Sequence, residues 1–428
     1  MKIGIVGGGI SGLMAAHRLS KQHDITLLEA NGYIGGHTAT VDVNEKGRPL
    51  AVDTGFIVFN DRTYPGFCEF LDELNVASQP TQMSFSVKDD AGNLEYRGMD
   101  VAGLFAQKRN LFRPRYWKML SDFVRFKAKA NELDDITEQV SVGQFLRENR
   151  FSDWFIHKYF LPMGSAVWSC PRELFESFPI GFIIDFYRNH GMLGVQDRPQ
   201  WRVVTGGSRE YVRALLKQLD AEIHVNTPIR HVSRGHDHVA VETVEGQQHQ
   251  FDHLVLACHA DQSLRLLGDQ ATSTERELLS RFPYESNEVV LHTDTAVLPR
   301  RRNAWASWNY DVRGDEQEKA SVTYNMNILQ GLDAEETYCV TLNDTSRIDP
   351  SKVIKSFIYD HPVFQVGRKA SQARHAELID HNRISYCGAY WANGFHEDGV
   401  QSALRVAARL QRKAPSCEAE STKAVSIT

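Results

Sequence analysis

At 428 residues the chain is too long for one small core, so two interleaved or consecutive domains are expected. Its 48 basic and 54 acidic side chains leave a net charge of −6, which implies no broad cationic surface and excludes nucleic acid as the expected partner. Hydrophobic content of 42% and charged content of 24% suit a globular chain in water, and no run of about 18 uncharged apolar residues predicts a membrane-spanning helix.

Six cysteines are scattered without a CxxC pair or metal-ligand spacing, so neither a disulfide framework nor a metal site is expected and a reducing, cytoplasmic setting is the default. In chain order, the first informative stretch is IGIVGGGISGLMAAHRL, Ile3 to Leu19. Ile3–Val6 reads as a short buried parallel strand, and Leu13, Ala15, Ala16 and Leu19 are spaced along the inner face of a helix. Between them Gly7, Gly9 and Gly12 form G-x-G-x-x-G. In that pattern the first glycine makes the tight turn and the second admits a pyrophosphate to the main chain. The third lets helix and strand approach. A secretion signal is the competing reading of this stretch, but its glycines would break the helix such a signal needs.

DITLLEA supplies a second strand ending at Glu29, 29 − 12 = 17 positions beyond the third glycine, where an acid accepts hydrogen bonds from ribose hydroxyls. Then come ANGYIGGHTATV, with Gly35-Gly36 as another approach point bare of side chains, and AVDTGFIVFN, where Asp53-Thr54-Gly55 ends a further strand. A simple dinucleotide domain does not need these extra loops. They resemble the FAD-binding superfamily that includes flavin amine oxidases, protoporphyrinogen oxidase, carotenoid desaturases and UDP-galactopyranose mutase. GGHT matches that superfamily's G-G-R-x-x-T-like loop except that His37 replaces arginine, which makes the charge there depend on pH or on a neighbour.

Three later segments carry the same resemblance. VVTGGSREYVRALLKQL (Val203–Leu219) is similar to the segment returning the chain to the FAD domain. VNTPIRHV and FDHLVLACHA resemble the strands flanking the adenosine, with Ile229 at the position whose main chain meets adenine and Ala257 beyond the second strand. ISYCGAYWANGFHEDGVQSALRVAARL resembles the closing flavin motif: a strand, Gly388, a loop, then a helix expected to begin near Gly399 and to aim its N–H groups at the flavin pyrimidine edge.

The resemblance implies an α/β fold: a Rossmann-like FAD-binding domain of the glutathione-reductase type, interleaved with a substrate domain of mixed sheet plus helices. The FAD-binding pieces are expected at 1–79, 203–268 and 378–413, the substrate domain at 80–202 and 269–377, and a disordered tail at 414–428. FAD would be held by Gly7, Gly9, Ile10, Ser11 and Gly12 in the opening loop and helix, and by Glu29 and Ala30 after the second strand. Gly35, Gly36, His37 and Thr38 would follow, then Gly55, Phe56 and Ile57. From the closing motif Gly388, Phe395, Glu397, Asp398, Gly399 and Val400 would contribute, beside Ile229 and Ala257.

Aromatic residues are dense from Trp154 to Tyr187, read either as core packing or as the lining of an apolar tunnel. Gln107–Lys118 mixes basic and aromatic side chains, read either as a solvated helix face or as a peripheral contact with anionic headgroups. His396 is the candidate for proton chemistry near the flavin, an equal alternative being a capping role with Asp398, for which capping is expected. Cys387 resembles the flavinylated cysteine of some amine oxidases, but a buried strand thiol is the expected state. Neither the amine oxidases' oxygen-activating lysine nor their tyrosine pair has an equivalent in this reading.

The chain also resembles bacterial FAD/NAD-binding oxidoreductases, some associated with modified (methylated or cyclopropane) fatty-acid synthesis. The resemblance thus implies hydride removal from a C–H bond of a small-molecule or acyl-chain substrate, in oxidase or desaturase fashion. With no second G-x-G-x-x-G after a strand, the electrons are expected to pass to oxygen, a quinone or another acceptor. Amine oxidation and a non-redox role of the mutase kind are the alternatives.

Overall fold

The computed structural model describes residues 1–132, 140–191, 193, 199–312, 320–363, 365 and 367–412, so the tail expected at 414–428 lies outside the described residues. The chain forms two compact units. Among the described residues, the first gathers those of 1–36, 215–280 and 372–412, and the second those of 37–214 and 281–371. Residues 37–79 and 203–214, expected with the FAD-binding pieces, pack in the second unit.

The first unit is built on five parallel strands in the order Glu222–His224, Asp24–Leu28, Lys2–Val6, His253–Leu256, Ile384–Tyr386. The central strands are buried along almost their whole length, as expected of β-branched and leucine runs covered on both faces. Two helices lie against this sheet's framework: Ile10–Leu19 directly after the first strand, and His396–Gln411 after the last. Small residues set their closeness. Gly12, Ala15 and Ala16 are buried on one helix, and Gly399, Ala403 and Ala407 on the other. A separate antiparallel sheet joins Ile229–Arg234, Val239–Thr243 and Gln248–Phe251.

The second unit contains a seven-stranded mixed sheet. Its long antiparallel pair, Tyr284–His292 with Val353–Pro362, continues through Cys339–Leu342 and Val322–Asn325, matching the alternating sequence there. Trp308–Asp311 then runs parallel to Phe85–Asp89, which closes with Leu94–Arg97. The aromatic stretch forms short helices, among them Leu161–Trp168 and Ile180–Asn189, with one wide π turn at Ile156–Phe160. Phe126, Phe155, Phe160, Phe175 and Phe178 are completely or almost completely buried and meet one another at ring separations of 4.8–6.1 Å. Packing into a core is therefore the observed role of these rings.

Candidate functional site

In the first unit, distant parts of the sequence converge on the opening glycine loop. Gly7 turns at φ +107°, a left-handed conformation open chiefly to glycine, and a Cβ there would stand 2.9 Å from the Ala257 carbonyl oxygen. Ala257 is held in place by its N–H bond to the Val6 carbonyl at 2.9 Å. A Cβ on Gly12 would come within 1.9 Å of the Gly7 carbonyl oxygen, so the helix can lie this close to the loop only with glycine there. At Gly9 a Cβ would meet nothing within 4 Å. The space beside Gly9 is therefore open.

The Gly35-Gly36 turn closes on the same loop. Gly35 N–H bonds the Gly8 carbonyl at 2.9 Å, and Gly36, at φ +58°, lies so near that its Cβ would be 3.0 Å from Gly9 Cα. Glu29, which is buried, has one carboxylate oxygen bonded by Gly8 N–H at 2.7 Å. Its other oxygen accepts from the main chain and side chain of Asn31 at 2.8 and 2.9 Å. Asn31 escaped the sequence reading, although an Asx side chain two residues past a strand end is a local turn signal. The Glu29 peptide also joins the segment leading to Ile229, donating to His224 O at 2.8 Å and accepting from Thr227 N at 2.8 Å. Ala30, beside it, is exposed.

The closing segment meets the first turn of the opening helix. Gly399 packs onto it so closely that a Cβ would be 2.8 Å from both Ile10 Cγ2 and Ser11 Oγ, and Ser11 donates to the Gly399 carbonyl at 3.1 Å. The helix does not begin near Gly399, as the sequence suggested. It begins three residues earlier, at His396, because the Asp398 carboxylate reaches back to Phe395 N–H at 2.8 Å and Asn393 N–H at 3.0 Å. Ser402, also unforeseen, accepts from Gly388 N–H at 2.9 Å and donates to Gly399 O at 2.9 Å, tying the loop to the helix. His396, Glu397 and Val400 are buried, and Glu397 accepts from Gln401 at 2.6 Å. Phe395 is half-buried.

Behind this loop Trp391 stacks on His375, ring centroids 4.2 Å apart, while His375 bonds the Tyr386 carbonyl at 2.7 Å through Nε2. Burial lowers the His375 pKa to about 4. Cys387 is fully buried and its thiol is pushed well above its ordinary range by burial, so it is no nucleophile.

The remaining expected contacts lie in the second unit and form a constellation of their own. The His37 carbonyl accepts from Ala39 N at 3.0 Å and Phe56 N at 2.7 Å, and Gly55 passes so near that a Cβ would stand 2.1 Å from that oxygen. The His37 ring lies 5.1 Å from Tyr359 and 5.4 Å from His361. Thr38 is hydrogen-bonded to the buried Tyr211 hydroxyl at 2.5 Å, Phe56 sits edge-on to Phe67, and Ile57 belongs to the apolar core. Nearby Asp53, fully buried, accepts from Ser208 N, Thr40 Oγ1 and Gln330 Nε2. Burial raises its pKa to about 6 against those bonds. Among the described residues no group of three or more His, Cys, Asp or Glu is arranged to hold a metal ion.

A parallel sheet with a glycine loop at its first helix, an acid at its second strand and a closing helix packed on the first defines a dinucleotide-binding class. The model of the family described as flavin containing amine oxidoreductase matches residues 10–411. The chain belongs to that family, and FAD is its cofactor. A Mycobacterium tuberculosis protein described as a flavin-containing monoamine oxidase, AofH, is 25% identical over 262 residues, 57% of this chain and 54% of that one. The chain thus matches about half the length of that curated relative. Among solved structures, a protein described as a protoporphyrinogen oxidase from an Exiguobacterium species superposes with a TM-score of 0.69 at 17% identity, covering 96% of this chain and 99% of that one. A fatty acid isomerase from P. acnes that produces CLA gives 0.64 at 15%, covering 96% and 98%. These two likenesses show the fold.

Proposed function

We propose that the chain is an FAD-dependent oxidoreductase that removes hydride from a C–H bond of an apolar, acyl-chain-like substrate, with oxygen, a quinone or another acceptor taking the electrons. Hydride acceptance is the chemistry that bound FAD supplies. In this reading the main chain of Gly7, Gly9, Ile10 and Ser11 receives the diphosphate at the start of the opening helix, and Glu29 receives the ribose through the lone pairs its protein bonds leave. Ile229 presents its main chain to adenine, and the first turn of the closing helix borders the flavin. The open side of Gly9 carries this placement, since nothing of the protein would meet a side chain there.

The buried state of the side chains in that first turn supports the nature of the substrate. His396 and Glu397 are buried and Asp398 is bonded to two main-chain N–H groups, so none of the three is a solvated general base. In desaturation the hydride would pass to FAD and the neighbouring carbon would release a proton to water, a step that calls for no solvated base among these three side chains. The fatty acid isomerase named above shares the fold and points the same way. AofH favours a second reading, oxidation of an amine.

Anaerobic mixing of the purified holoprotein with long-chain acyl lipids and, separately, with primary and secondary amines decides between them. Bleaching of the flavin band near about 450 nm by acyl lipids supports the proposal, whereas bleaching by amines alone overturns it.

A further inference from the structure

We propose that one face of the second unit, around residues 107–129, docks the protein on an anionic membrane surface. This stretch carries eight cationic side chains (Lys108, Arg109, Arg113, Arg115, Lys118, Arg125, Lys127 and Lys129) and one acid, Asp122, in a chain whose net charge is −6. Asp122 is buried and bonds Lys118 at 2.7 Å and Arg125 at 3.1 Å, so it holds two of these cations in place and offers no negative charge to solvent.

Beside the cations stand apolar side chains that the fold does not cover. Phe112 is 86% exposed, Val124 65%, Trp117 49% and Leu111 43%. They are not loose. Trp117 Nε1 donates to the Leu111 carbonyl at 2.8 Å, and its ring lies 5.5 Å from Phe105. The neighbouring Tyr116 is buried, with its hydroxyl on the Leu104 carbonyl at 2.7 Å.

On the helix Pro114–Glu132, positions 117, 124 and 128 fall on one stripe and 118, 125 and 129 on another, about 100° apart around the axis. Met119, Phe126 and Ala130 face inward. An exposed apolar stripe flanked by a cationic one is the arrangement that rests in a bilayer interface, apolar groups among the acyl chains and cations at the phosphates. Beside the helix entry lies a cleft of about 730 Å³ lined by Arg115, Lys118, Trp154, His157, Lys158 and Arg172. Its acids are Asp89, paired with Lys158 at 2.8 Å, and Asp153. An excess of positive charge next to uncovered aromatic surface selects an anionic bilayer over a neutral one. Among the described residues no helix is long and apolar enough to cross a membrane, so attachment here is to the surface.

The test is co-flotation of the full-length holoprotein with vesicles of phosphatidylcholine alone or mixed with phosphatidylglycerol, across a salt series. Binding to the anionic vesicles should be at least about tenfold tighter and should weaken with salt. Lys108→Glu with Arg115→Glu should reduce it to the level of neutral vesicles, and Phe112→Ser should weaken it while leaving the melting temperature unchanged. Equal binding to both vesicle types, or binding that neither variant alters, overturns the proposal. So does a wild-type dimer that Phe112→Ser converts to monomer, since a second copy would then cover this face. If Phe112→Ser does not fold, salt-insensitive binding by the wild-type chain is itself the overturning result.

Discussion

The Ser11 hydroxyl donates to the Gly399 carbonyl at 3.1 Å, joining residues 388 positions apart at the point where the first and last helices of the parallel-sheet unit touch. Two substitutions separate the parts of this contact. Ser11→Ala removes one buried hydrogen bond and should cost about 1 kcal/mol. Gly399→Ala places a methyl group 2.8 Å from Ile10 Cγ2 and should cost about 1–3 kcal/mol by forcing the helices apart. Urea unfolding of the FAD-free protein measures both. A Gly399→Ala variant as stable as wild type would show that the helices do not pack this closely.

Gly9 and Gly12 should respond in opposite ways to the same methyl group. At Gly12 it meets the Gly7 carbonyl at 1.9 Å, so Gly12→Ala should lower the melting temperature of the FAD-free protein. At Gly9 it meets no protein atom within 4 Å, so Gly9→Ala should leave that melting temperature nearly unchanged while weakening FAD binding. A bulkier Gly9→Val should abolish it. Flavin fluorescence on titration with FAD, read beside thermal melts, distinguishes the two positions.

The contrast explains what could be read from the sequence. The tight turn at Gly7, the close packing at Gly12 and the strand end at Glu29 were legible because each is set by local geometry. The start of the closing helix was misplaced because its boundary depends on Asp398 bonding backward to Phe395, and the glycine that looked like a start is a packing site against Ser11. Residues 37–79, expected with the FAD-binding pieces, pack within the second unit. Their packing is decided by long-range bonds invisible in sequence, such as Asp53 to Ser208 and Gln330. The aromatics from Phe155 to Phe178 gave composition but no direction, and composition does not distinguish a tunnel from a core.

Cys387 should not carry a covalent flavin. Its thiol is fully buried, and burial raises its pKa far above neutrality, which keeps it protonated. Acid or heat denaturation should therefore release FAD into the supernatant from wild type and from Cys387→Ser alike. Flavin that stays with the wild-type chain and leaves the serine variant would contradict this.

The parallel-sheet unit should lose stability in mild acid through His375. Burial holds this imidazole neutral, with its pKa down to about 4 from 6.5, although the bond to the Tyr386 carbonyl opposes the shift. Its Nδ1 is buried with no hydrogen-bond partner among the described residues, so a proton added there would find no acceptor among them. Because the folded pKa lies below the unfolded one, the unfolded chain binds the extra proton first. The stabilisation is complete above about pH 6.5 and is lost as pH falls toward 4. At pH 5 the loss is about 2 kcal/mol, an upper bound for a group that can relax on charging. His375→Gln keeps a donor for Tyr386 and cannot titrate. Its unfolding midpoint should therefore fall less between pH 7 and pH 5 than that of wild type. An equal fall in the two proteins would mean that His375 is already charged in the folded state or exposed on a timescale that lets it titrate normally.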